Sequence, residues 1–114
     1  MTDHLHGSVA HFDISGRDGE TLQDFYHALL GWQILPKGPG YALIDTPGGG
    51  PNGAIVEAEE TSITMGVTVK DLGAALTMAV EHGGQVVMPE TDNGWVKKAK
   101  IADPAGNLVT LIAL

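Results

Sequence analysis

Cysteine is absent from this chain. That excludes disulfides, thiolate nucleophiles and thiolate metal ligands, and it suits a reducing cytosol. Basic residues are scarce: six Lys and Arg stand against fourteen Asp and Glu, for a formal charge of -8. Nucleic acid and anionic membrane surfaces are poor partners for such a chain. No apolar run approaches the roughly 20 residues that span a bilayer. Met1 to Gly7 is short and polar, without the basic flank and apolar stretch of a secretory signal. A cytoplasmic protein is expected. Aromatic residues make up 5% of the chain, so the two tryptophans stand out. Trp32 is expected in the core or along a cleft, and Trp95, after Asp92-Asn93-Gly94, as a lid.

What the chain does have is a repeat. His11 to Asp18 and Thr64 to Asp71 are both steps of seven residues, and Gly31, Pro36, Pro51 and Gly53 recur as Gly84, Pro89, Pro104 and Gly106, all at an offset of 53. Pro51-Asn52-Gly53-Ala54-Ile55-Val56 reads again as Pro104-Ala105-Gly106-Asn107-Leu108-Val109. A repeat of this kind predicts one small structural module used in tandem. With 114 residues the chain is one domain, 1–114, able to bury about two-thirds of its unfolded surface without disulfide or metal.

Hydrophobic periodicity fills in the module. Val9 to Ser15 alternates as a strand, and Leu22, Phe25, Tyr26, Leu29 and Leu30 recur at helical spacing. Asp18, or Thr21 with the polar residues after it, is placed to cap that helix, and Gly31 to end it. Trp32–Leu35, Gly40–Asp45 and Ala54–Glu57 read as strands, with a loop over Thr46–Gly53. The second module follows the same order: Ile63–Val69, a helical stripe of Leu72, Ala75, Leu76, Ala79 and Val80 closed by Gly83 and Gly84, then Gln85–Met88, Val96–Ala102 and Leu108–Leu114. Module 1 covers about 8–57 and module 2 about 63–113, joined by a linker over 58–62. The expected fold class is α+β, two tandem βαβββ modules.

Val9-Ala10-His11-Phe12-Asp13-Ile14, Phe25-Tyr26 with Leu30-Gly31-Trp32, Val69-Lys70-Asp71-Leu72 and Asp103-Pro104-Ala105-Gly106-Asn107 together resemble the vicinal oxygen chelate superfamily. Glyoxalase I, bleomycin-resistance proteins and extradiol dioxygenases belong to it. The resemblance runs from about Val9 to Ile112. It implies a curved mixed sheet with a cleft, commonly completed in a homodimer, and a divalent metal that binds adjacent oxygens of a small-molecule substrate.

Carried over residue by residue, the resemblance places the first-strand metal ligand at His11 and the last-strand glutamate at Thr110. The repeat mate of His11 is Thr64, and that of Thr110 is Glu57. His11 and Glu57 are therefore the candidate metal and catalytic residues, with Asp13, Thr64, Thr110 and Trp95 lining the pocket. A catalytic zinc site uses three protein ligands plus water, and the facial iron triad uses two His and one carboxylate. One imidazole and one carboxylate fall short of either, so any divalent ion is expected to be weakly held.

Plainer readings stand beside these. His11 also fits a hydrogen-bonded interior histidine, and Glu57, near Glu59 and Glu60, a solvated strand end. Asp13 shares the face of His11 if the strand alternates regularly. Asp103, before proline, reads as a turn former. His4 and His6 could face one ion if the terminus were extended; His27 and His82 read as surface residues near helix ends. Pro47-Gly48-Gly49-Gly50-Pro51 lacks the lysine of a phosphate loop and reads as a mobile hairpin. Lys97, Lys98 and Lys100 offer a contact to an anionic ligand, or protect an edge strand. Two function classes stay open: a glyoxalase-like lyase, isomerase or dioxygenase-type enzyme with a degenerate metal site, and a metal-free small-molecule binder of the bleomycin-resistance kind.

Overall fold

The computed structural model describes residues 7–114, so His4 and His6 lie outside the described residues. The fold is α+β, with the element order β1 (Ser8–Gly16), α1 (Gly19–Leu30), β2 (Gln33–Gly38), β3 (Tyr41–Asp45), β4 (Asn52–Glu57), β5 (Ser62–Val69), α2 (Leu72–Glu81), β6 (Gln85–Asp92), β7 (Lys97–Ala102) and β8 (Leu108–Ala113). This is βαβββ twice. The chain forms two compact units: His11–Thr64, and Met65–Leu114 together with residues 7–10.

In the first unit the strand order is β2-β3-β4-β1. β1 and β4 run parallel, and the other pairs are antiparallel. Helix α1 starts where Asp18 Oδ1 accepts from the Thr21 amide at 3.1 Å, so the cap is Asp18 rather than Thr21. It stops at Gly31, whose φ of 69° is a conformation that favours glycine. The core is Ile14, Ile44 and Ile55, with Phe12, Leu22, Tyr26, Trp32 and Ile34 packed against it. Trp32 is a core residue here: it stacks on Tyr26 and meets Phe12 at a tilt, both at 5.5 Å between centroids.

The second unit has the order β5-β8-β7-β6, with β5 and β8 parallel. Asp71 Oδ1 caps α2 by accepting from the Ala74 amide at 3.0 Å. The core is Val69, Leu72, Ala75, Ala99 and Leu111. Strand β6 continues to Asp92, well past the expected end at Met88, because the β6–β7 ladder absorbs two register shifts. β7 lies between β8 and β6. The reading of its lysines as guards of an edge strand is therefore corrected: β7 is an interior strand.

The ladder registers do not follow the offset of 53 throughout. The helix caps Asp18 and Asp71 do obey it. In the second unit Gly66 pairs with Thr110, while its equivalent in the first unit, Asp13, pairs with Ala54. The separations are 44 and 41 residues, a slip of three. The structural mate of Thr110 is thus Ala54. Glu57 pairs with Gly16, as Ala113 pairs with Val69, and is the mate of Ala113. The expected equivalence of Glu57 and Thr110 is overturned by the longer β6–β7 hairpin, which adds residues between helix and last strand.

Candidate functional site

Each sheet half has one face covered by its helix and one face free of it. In the first unit Phe12, Ile14 and Ile55 belong to the core. Alternation along a strand then puts His11, Asp13 and Ser15 on the opposite, helix-free face. Residues paired across a ladder share a face, so Ala54 and Leu43, in register with Asp13, join them there. His11 Nε2 lies 3.1 Å from Asp13 Oδ1, and both side chains are about one-third exposed. An ionised carboxylate only accepts hydrogen bonds. The proton of a neutral His11 paired in this way is therefore on Nε2, and Nδ1 is left as the basic nitrogen.

Glu57 is elsewhere. Its register opposite Gly16 sets it five residues along from His11, roughly 17 Å at about 3.3 Å per residue. The odd number of steps also turns it to the other face, the side of α1. There its Oε1 accepts from the Gly19 amide at 2.9 Å, at the start of α1, where a negative charge is favoured by unsatisfied N–H groups. Its own amide donates to the Gly40 carbonyl at 2.7 Å. Gly40 has φ 70°, and a Cβ there would stand 2.9 Å from the Glu57 Cβ. The expected convergence of His11 and Glu57 in one cleft is therefore corrected. Sequence spacing missed it because similar turn residues align while the strand registers differ.

The other expected residues lie on several elements. Thr64 lies on β5. Thr110 is 7% exposed on β8, opposite Gly66 on one side and Lys100 on the other. Trp95 is 94% exposed in the turn between β6 and β7, where its amide donates to Asn93 Oδ1 at 3.0 Å. Asp103 builds a turn: its carboxylate accepts from Asn107 Nδ2 and from the amides of Ala105 and Asn107, all at 2.9 Å. The Asn107 side chain, then its amide, holds the Asp103 carboxyl below its ordinary pKa. Thr21 does the same for Asp18.

His27 donates from Nδ1 to the Trp32 carbonyl at 2.8 Å if that nitrogen is protonated. With Gln23, Asp24, Gln33, Ile34, Leu35 and Pro36 it lines an open groove of about 510 Å³. Neither His11 nor Asp13 borders that groove.

A sequence profile of the glyoxalase-like domain matches residues 10–112. The chain belongs to the glyoxalase-like family. No curated protein matches its sequence. Solved structures match its fold. Methylmalonyl-CoA epimerase from Mycobacterium tuberculosis superposes with a TM-score of 0.71 at 19% identity, over 92% of this chain and 86% of that one. A glyoxalase/bleomycin resistance protein/dioxygenase superfamily member from Vibrio splendidus 12B01 gives 0.73 at 13% identity, over 95% and 99%. The Mn(II)-bound glyoxalase from Novosphingobium aromaticivorans gives 0.70 at 17% identity; this chain covers 38% of its length.

That glyoxalase carries Mn(II). The described residues at the expected ligand positions of this glyoxalase-like chain do not make up a three-ligand catalytic centre. Asp13 is engaged with His11, Ala54 stands where the mate of Thr110 would have to donate, and Glu57 holds the start of a helix. Among the described residues no three His, Asp or Glu side chains are grouped to hold an ion.

Proposed function

We propose that this chain binds a small molecule on the helix-free face of its first unit, with His11 as the polar anchor and no resident metal required. The observation that carries this reading is the 3.1 Å contact between His11 Nε2 and Asp13 Oδ1. Asp13 fixes the ring and its tautomer, and His11 Nδ1 accepts a hydrogen bond from the ligand. Leu43, half-buried on the same face, supplies apolar surface beside it. A divalent ion, if one enters, is weakly held through Nδ1 and water.

The same pair favours a second reading, an enzyme that moves a proton next to a carbonyl group, as an epimerase or isomerase does. A carboxylate-oriented imidazole is a competent general base, and one such group contributes roughly 10²- to 10⁴-fold. We also carry forward a symmetric homodimer, supported by the exposed apolar residues Phe25, Leu29 and Leu30 on α1, and a cytoplasmic location. No helix among the described residues is long and apolar enough to cross a membrane.

The test is a ligand screen by NMR on the wild type and on His11→Ala, His27→Ala and His82→Ala. His11→Ala is expected to weaken every hit that perturbs β1 amides, with the other two unchanged. Equal effects of the three substitutions, with the fold intact, would remove His11 from the site. Stoichiometric tightly bound nickel, zinc or iron in protein purified without a histidine tag would overturn the metal-independent reading. Solvent deuterium entering a bound carbonyl compound at its α-carbon, lost in His11→Ala, would decide for the enzyme.

A further inference from the structure

On β7, Ala99 is fully buried in the core of the second unit. Alternation then sends both Lys98 and Lys100 to the opposite, helix-free face. Both are only half-exposed, on an interior strand. Lys100 is directly opposite Thr110, and Lys98 directly opposite Ile112, which in turn pairs with Thr68. The face thus carries two ammonium groups whose Cα atoms are about 7 Å apart along the strand, beside two threonine hydroxyls.

Two like charges set side by side repel each other, and neither meets a carboxylate among the described residues. This happens in a chain with only six basic residues against fourteen acidic ones. Thr110 is 7% exposed. A half-buried lysine pair beside a threonine hydroxyl is stabilised by an anion that accepts from the two ammonium groups.

We infer that the helix-free face of the second unit is an anion subsite, in which Lys98, Lys100 and the Thr110 hydroxyl hold a phosphate or carboxylate group of a small molecule. This goes beyond the His11 reading and does not depend on it. Lys97 is the built-in control. It alternates to the other face and stands opposite Asp92 at the exposed end of the hairpin.

The experiment is an amide NMR titration at low salt with inorganic phosphate, pyrophosphate and malonate as separate probes. Saturable shifts confined to β7 and β8 are expected, weakening as salt rises. Lys98→Gln and Lys100→Gln should each weaken binding about 5- to 10-fold, and Thr110→Val, which keeps the side-chain shape, about 3-fold. Lys97→Gln should leave it unchanged. Preference for the phosphates over malonate assigns a phosphate ester, and the reverse order a carboxylate. Shifts that do not saturate, or an equal loss in Lys97→Gln, would overturn the subsite. The Thr110→Val and Lys97→Gln spectra keep the test decisive if one lysine variant folds poorly. His11→Ala in the same titration should change nothing, which separates failure here from failure of the proposed function.

Discussion

Replacing Glu57 separates two accounts of one carboxylate. In the structure its Oε1 accepts from the Gly19 amide at 2.9 Å, at the start of α1. Removing a side-chain acceptor from a helix start costs about 1 kcal/mol, and loss of the charge near the helix dipole adds roughly 0.3–1 kcal/mol. Glu57→Ala should therefore destabilise the protein by about 1.5 kcal/mol. Unfolding entropy of roughly 2.1 cal/mol/K per residue, over 114 residues, turns this into a fall in Tm of about 6 °C. Glu57→Gln keeps an acceptor and should lose about 2 °C on the same scale. The assay is thermal unfolding by circular dichroism, run in parallel with ligand binding at a temperature where both variants are folded. Binding should be unaltered. A Glu57→Ala protein with wild-type Tm but no ligand or metal binding would refute the register argument and restore Glu57 to the site.

Gly53 is the tightest approach in the first unit, since an added Cβ would sit 2.5 Å from the Phe12 carbonyl and 2.7 Å from its ring. Gly53→Ala should cost about 1–3 kcal/mol as an overpacking change, read by urea denaturation; an unchanged midpoint would contradict the β1–β4 packing. Trp95→Ala should shift stability by less than about 0.5 kcal/mol, because the side chain is 94% exposed; a larger loss would mean that Trp95 is covered in solution. The proposed homodimer predicts about twice the 11.9 kDa chain mass by light scattering at micromolar concentration, and a monomer would exclude it. Asp103 has its pKa lowered by folding, so its contribution is present above the unfolded value of about 3.9 and is lost as pH falls through the folded value. Asp103→Asn should flatten the decline of stability below about pH 4, and an unchanged acid limb would show that the turn does not couple to folding.

The parts of the fold that sequence made legible are those set by local chemistry. Alternation located β1 and β5, and a helical stripe ending in glycine located α1. The aspartates Asp18 and Asp71, 53 residues apart, do cap the two helices. The failure begins after the helices. Pro51-Asn52-Gly53 and Pro104-Ala105-Gly106 look alike because both introduce a strand, but they are built differently. Asp103 gathers three hydrogen bonds in one turn, whereas the first connection passes through the 3-10 turn Pro47–Gly49 and ties Thr46 to Asn52. Register is decided by the ladder and its bulges, and neither leaves a mark at single-residue spacing.

A slip of three residues has a larger chemical consequence than its size suggests, because side chains alternate with a period of two. Any odd slip moves a residue to the other face of its sheet. Glu57 passes in this way from a metal-ligand position to a helix start, where it stabilises the fold. The helix-free face loses its only carboxylate from β4 and keeps Ala54. Among the described residues Asp13 is then the carboxylate bonded to His11, which turns a would-be ligand set into a hydrogen-bonded pair. In the second unit Thr110 stands at the position equivalent to Ala54, with Lys100 beside it. A cation next to that position opposes a bound metal ion and favours an anion. The two equivalent positions thus support the two proposals together, a histidine anchor in the first unit and an anion subsite in the second.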